Sequence, residues 1–207
     1  HGIVGAQVPI GTGIAFTLKY KKQNNICRTY IGDGAMNNGQ VFEAFNLASL
    51  WKLPVLYIIE NNMYGMGTSV NRASAGSDLY KRGEAFGIKG NLVDGMNVFK
   101  VIDAAQKAGD YVRKGKGPYI LEVQTYRYRG HSMSDPAKYR SKEELDSYKL
   151  NDPIEIASAE ILKKKVATKK DLDNINKKII QEIKEAAEFA LESPYPEQEE
   201  LYTDVYV

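Results

Sequence analysis

Ile26-Cys-Arg-Thr-Tyr-Ile-Gly-Asp-Gly34 and Val55-Leu-Tyr-Ile-Ile-Glu-Asn-Asn62 decide how this chain folds. Each is an apolar run that reads as a buried strand and breaks off in polar residues. Asn37 to Leu53, between them, reads as a helix. An extended chain rises ~3.3 Å per residue and a helix ~1.5 Å. About 15 helical residues therefore run back over the length that six or seven extended residues retrace. Strand, turn, helix and returning strand fit into residues 26–62, and Asp33 and Asn62 are expected side by side at the carboxyl ends of two parallel strands. Open parallel sheets bind their ligands there.

The chemistry of the two tips agrees. A divalent ion such as Mg²⁺ takes about six oxygens at ~2.0–2.1 Å and draws some from a substrate phosphate. Asp33 offers charge, Asn62 a neutral oxygen, and a carbonyl just downstream a third ligand. Gly32 and Gly34 permit a close turn, and the amides after Gly34 are expected at a helix N-terminus, where an anion is favoured. A bare Gly-Asp-Gly is a common turn and Asn-Asn is weaker still. At this separation, each behind its own strand, the pair is specific.

Working outward, strands and helices alternate, which predicts an α/β fold with a mainly parallel sheet and helices on both faces. Residues 2–13 are glycine-rich, with Pro9 where a helix could begin. Phe42, Phe45, Leu47 and Leu50 with Trp51 suggest an apolar stripe on the next helix. Residues 61–75 form a Gly/Asn/Ser-rich loop too long for a plain connector. Helices are expected at 80–86 and 98–113, and strands at 92–93 and 119–125. Residues 127–140 show no periodicity and concentrate Arg, Tyr, His, Ser and Asp, so they read as a second functional loop, expected to be mobile. The first 150 residues are read as one diphosphate-binding domain. Residues 151–207 are read as a helical extension packed on it, in which Thr168 and Asp171 form a capping box. There Leu172, Ile175, Ile179 and Ile183 make a stripe that must pack on something. The tail 201–207 has weak strand character.

Composition excludes several classes of function. The 207 residues are 43% hydrophobic and 26% charged, with a net charge of +2. Basic residues are interspersed with acids, so no nucleic-acid footprint is present. No apolar stretch approaches the ~20 residues that span a bilayer. Cys27, the single cysteine, excludes an internal disulfide and a Cys-based zinc cage. It lies in a strand pattern as an inert core thiol. The chain begins at His1 in what already reads as functional loop, so an N-terminal portion is expected beyond it.

Five strings carry a resemblance: residues 2–9 (GIVGAQVP), 32–35 (GDGA), 46–54 (NLASLWKLP), 60–69 (ENNMYGMGTS) and 126–136 (YRYRGHSMSDP). Together they resemble the α subunits of the pyruvate dehydrogenase E1 component, in the thiamin diphosphate-dependent 2-oxo acid dehydrogenase family. The resemblance extends to about residue 150 and is looser beyond. It implies a thiamin diphosphate-binding fold in which Asp33, Asn62 and the backbone carbonyl of Tyr64 hold Mg²⁺. Gly34, Ala35 and His131 would contact the diphosphate, and Gly2 and Val4 would face the aminopyrimidine. A lone loop histidine is most often structural. Within Arg127-Tyr-Arg-Gly-His-Ser, however, Arg and His together can grip phosphate oxygens, so His131 is assigned binding first and catalysis second.

The resemblance also implies an α₂β₂ heterotetramer whose β subunit supplies the glutamate that activates the cofactor. The acids of this chain beyond 140, such as Glu143 and Glu144, look like surface helix residues. Pyruvate would be decarboxylated and its acetyl group passed to the lipoyl domain of E2, in a bacterial cytoplasm or a mitochondrial matrix. The sequence departs from the family at Arg129, where His is common, and in a shorter loop around 137–139. Ser132 sits at a regulatory phosphorylation position, where a phosphate would add about −1.5 to −2 charge beside the cofactor. Two alternatives stand: an α subunit of a branched-chain 2-oxo acid or acetoin dehydrogenase, and a cofactor- and partner-binding module inactive on its own.

Overall fold

The structure, a computed structural model, describes residues 2–205. The chain divides into two compact units, residues 1–157 and 158–207. In the first, α1 (Gln7–Tyr20) leads to β1 (Cys27–Gly32), a 3-10 turn (Gly34–Asn37), α2 (Gly39–Leu50) and β2 (Val55–Asn61). A two-residue hairpin, β3 (Tyr64–Gly65) and β4 (Thr68–Ser69), precedes the one-turn α3 (Val70–Ala73) and a 3-10 segment (Leu79–Phe86). Then come β5 (Lys89–Asp94), α4 (Val98–Arg113), β6 (Tyr119–Gln124) and α5 (Lys142–Lys149). α6 (Pro153–Lys163) crosses the division, and the second unit holds α7 (Lys169–Glu192) and a 3-10 turn (Gln198–Tyr202).

The sheet is parallel throughout, in the order β1-β2-β6-β5. Period-two alternation along β2 explains how it carries helices on both faces. Val55, Tyr57 and Ile59 join the core with Phe45 and Ala48 of α2 and Val8 and Ala15 of α1. Leu56 and Ile58 face the other way, into a cluster with Ala108 and Val112 of α4. Both clusters are near-completely buried, as an inner parallel strand requires. The Tyr57 hydroxyl is buried against the Thr12 hydroxyl at 2.7 Å. Cys27 is buried and burial pushes its thiol pKa up, so it is an unreactive core residue.

Three expectations need correction. The helix read from residue 37 begins at Gly39, because Asn38 caps it: its side chain accepts from the Gln40 amide. Gly34 opens a separate 3-10 turn, not this helix. On α2 the buried face is Val41, Ala44, Phe45 and Ala48, whereas Leu47, Leu50 and Trp51 are exposed. Small residues let the helix sit close to the sheet, and bulk alone misidentified the face. The tail carries a 3-10 turn rather than a strand, and Tyr206 and Val207 lie outside the described residues.

In the second unit the capping box is present: the Thr168 hydroxyl accepts from the Asp171 amide while the Asp171 carboxylate accepts from the Thr168 amide. The stripe is placed otherwise than expected. Leu172 is half-buried, but Ile175, Ile179 and Ile183 are exposed. No described helix is long and apolar enough to cross a membrane.

Candidate functional site

Register puts the two tips together. Gly32 of β1 pairs with Glu60 of β2, so the chains leave the sheet one strand spacing apart, ~4.8 Å. Asp33 is 3% exposed, and its carboxylate accepts hydrogen bonds from its own backbone amide and from that of Asn62. The two loops also touch through glycines. A Cβ placed on Gly34 would lie 3.1 Å from the Gly65 Cα, and one on Gly65 would meet the Gly34 Cα at the same distance. Glycine at both positions is therefore a packing requirement.

The second loop is built by a succession of side-chain turns. The Asn61 Oδ1 accepts from the Met63 amide at 3.0 Å, and the Asn62 Oδ1 accepts from the Tyr64 amide at 3.3 Å. Met63 is held at φ +73°, a left-handed conformation that costs an L-residue roughly 1–2 kcal/mol. The Asn61 carbonyl accepts from Thr125 and the Met63 carbonyl from Val70, which pins both ends of the bend. Asn62, whose amide reaches the Asp33 carboxylate, and Tyr64 two residues on are thus delivered on a fixed backbone.

The electrostatics of the tip centre on Asp33. Burial is the largest influence on Asp33 and raises its carboxyl pKa; the two amides and the Arg127 charge lower it by less. A buried carboxylate held in this state gains most from a directly bound cation. Among the described residues no three His, Cys, Asp or Glu side chains cluster in metal-binding distance. An ion here would draw on one carboxylate and neutral oxygens, the set that Asp33, Asn62 and the Tyr64 carbonyl offer. The residues fit a hard divalent ion shared with phosphate.

The other expected residues are placed unevenly. Gly34 and Ala35 open the 3-10 turn directly after Asp33. The Val4 carbonyl accepts from Asn38 Nδ2 at 3.1 Å and from Gln40 Nε2 at 3.2 Å, which brings the N-terminal segment beside the tip. Gly2 is exposed, with nothing within 4 Å of the Cβ it lacks. The His131 amide donates to Asp135 at 2.7 Å; no hydrogen bond joins its imidazole to Asp33, Asn62 or Tyr64. An apolar hollow of about 340 Å³ lies at Phe16, Leu47 and Trp51, and none of the strand-tip residues lines it.

Instead of a free strand of chain, 127–140 is a tied loop. Arg127 donates to the Met66 carbonyl at 2.7 Å and to the Tyr139 hydroxyl. Asp135 accepts from the His131 and Ala137 amides and the Tyr139 hydroxyl, and these bonds draw its pKa down to about 2. Arg140 bonds the Arg127 and Tyr128 carbonyls. Glu144, read as a surface acid, is half-buried and accepts from both the Tyr64 hydroxyl and the Tyr126 hydroxyl at 2.9 Å. Burial and the Glu144 bond push the Tyr126 hydroxyl up to about 12. Arg127 and Glu144 are therefore the residues that sequence reasoning undervalued. Arg127 sits four residues before His131, but nothing in the spacing pairs it with Asp33.

Comparison with known proteins supplies the remaining observation. The family described as dehydrogenase E1 component matches residues 1–199. A protein of Rickettsia felis named pyruvate dehydrogenase E1 component subunit alpha is 60% identical over the whole chain, which covers 63% of that protein. Proteins bearing the same name from Rhizobium meliloti and, as a mitochondrial form, Dictyostelium discoideum are 55% and 52% identical; the chain covers 59% and 55% of them. The chain thus spans less than two thirds of these curated relatives.

Proposed function

The chain belongs to the dehydrogenase E1 component family, and from that premise we propose that it is the diphosphate- and metal-gripping portion of a pyruvate dehydrogenase E1 α subunit. The observation that carries the reading is the buried Asp33 carboxylate held by the Asn62 amide beside the Gly34–Gly65 contact. Asp33, Asn62 and the Tyr64 carbonyl would hold Mg²⁺. Gly34, Ala35 and Arg127, with His131 from the tied loop, would receive the diphosphate, and Gly2 and Val4 would face the aminopyrimidine. Thiamin diphosphate, when bound, supplies the nucleophile and electron sink for decarboxylating a 2-oxo acid.

This chain's own residues bind and orient. Asp33 would neutralise the metal, the Asn62 turn would fix a neutral oxygen beside it, and Arg127 would add positive charge for the diphosphate. Glu122 and Glu144, the two acids drawn in around the tip, are both engaged in hydrogen bonds. A β subunit would supply the acid that activates the cofactor in an α₂β₂ assembly, and the lipoyl domain of E2 would accept the acetyl group. Pyruvate is favoured over branched-chain 2-oxo acids and acetoin by the names and identities of the relatives. The test is turnover by the full-length α chain assembled with its β subunit. Pyruvate should be preferred over 2-oxoisovalerate and acetoin; equal or reversed preference would refute the substrate assignment.

A further inference from the structure

Glu122, in the middle of β6, is a buried acid that the proposed chemistry does not use. It is 1% exposed. One carboxylate oxygen accepts from Asn61 Nδ2 at 2.7 Å and the other from the Tyr80 amide at 2.9 Å. The Leu79 amide adds a third donor. Burying an ionisable group is costly unless its lone pairs are met, and here the donors come from both ends of the 61–80 connection.

Both arms lead to the site. Through Asn61, whose Oδ1 fixes the Met63 amide, Glu122 supports the left-handed bend that presents Asn62 and Tyr64. Through the 3-10 segment that it anchors, it reaches Arg82, whose charge it stabilises. Arg82 donates to the Met36 carbonyl at 2.9 Å and to Asn37 Oδ1 at 3.0 Å, in the turn directly after Asp33. One carboxylate therefore backs both tips. A glutamine of the same shape would turn an N–H group toward one of these donors, so the geometry asks for an acceptor-only group.

Resting on the proposed function, we propose that Glu122 is a positioning residue: it holds the Asn62–Tyr64 bend and the turn after Asp33 in the spacing that lets them share one divalent ion. Groups that orient metal ligands typically contribute 10–100-fold in affinity.

The test uses the full-length α chain with its β subunit, comparing wild type, Glu122→Gln, Asn61→Ala and Ile58→Val. Ile58→Val is a control that trims the opposite face of the sheet. Hydrogen exchange without ligand should show peptide 61–66 losing protection in Glu122→Gln and Asn61→Ala but not in Ile58→Val. Apparent Mg²⁺ affinity, measured with thiamin diphosphate, should fall about tenfold or more in the same two variants, with kcat at saturating Mg²⁺ much less affected. Glu122→Gln matching the control in exchange and Mg²⁺ affinity would overturn the proposal whatever Asn61→Ala does, because Asn61→Ala also loses the bond to the Met63 amide. If Glu122→Gln does not fold, Glu122→Asp, whose carboxylate falls one methylene short of the same donors, takes its place and should show the same losses. A wild-type enzyme that takes up no thiamin diphosphate with Mg²⁺ would refute the proposed function, and the ligand-free exchange would still decide the role of Glu122.

Discussion

Two aspartates, one at each candidate loop, are treated in opposite ways. Asp135, in the 127–140 loop, is fully answered by the chain itself: two amides and a hydroxyl converge on it, and its carboxyl pKa falls to about 2. Asp33, at the strand tip, is buried with less compensation, and its carboxyl pKa is raised. The first is a fastener that completes itself. The second carries a charge that the protein has only partly met, which is what the proposed metal-diphosphate site calls for.

The largest test of that contrast is Asp33→Asn. It should weaken Mg²⁺-dependent thiamin diphosphate binding by more than the roughly 10–100-fold lost with supporting residues. It should leave the melting temperature of the cofactor-free enzyme unchanged or higher. The sign comes from linkage: a carboxyl whose folded-state pKa is raised costs stability once the pH exceeds its unfolded value, so removing the charge relieves that cost. A large fall in Tm would place Asp33 with Asp135 among the fasteners. Next in size, Gly34→Ala should lower stability by about 1–3 kcal/mol as the two loops are forced apart. It should also weaken cofactor binding, because its Cβ meets the Gly65 backbone.

Smaller still, Asn38→Ala removes the α2 cap and one tether of Val4 and should cost about 1 kcal/mol. Thermal denaturation should register that as a drop of roughly 2–4 °C. The smallest effect is expected at Asp135. Its folded-state pKa is depressed, so its contribution is complete above the unfolded value of about 3.9 and is lost as the pH falls toward about 2. An NMR titration should find its carboxyl midpoint near that lower figure, and Asp135→Asn should loosen 131–139 without touching the protection of β1 and β2.

Legibility in the sequence divides along the same line. The strand pair and its tips could be read because apolar runs ending in Gly-Asp-Gly and Asn-Asn are local signals, and the alternation of strands with helices along the chain foretold helices on both faces. The Thr168–Asp171 box and the helix over 98–113 were legible for the same reason. Glu122, Arg127 and Glu144 were not, since each acts on partners some twenty to eighty positions away in the chain. The α2 face was misread because alanines pack where bulky residues were expected. The loop at 127–140 was expected to be mobile as one that closes over a charged ligand; the hydrogen bonds of Asp135, Arg127 and Arg140 that tie it down are contacts that no pattern encodes.

The most direct measurement is calorimetric titration of thiamin diphosphate into the full-length α chain assembled with its β subunit, with Mg²⁺ and with chelator, for wild type and Asp33→Asn. Binding by wild type that requires the divalent ion and is lost in the variant is the predicted result. Binding that is indifferent to the ion, or that survives the variant unchanged, would contradict the assignment of the strand tips as a metal-diphosphate site.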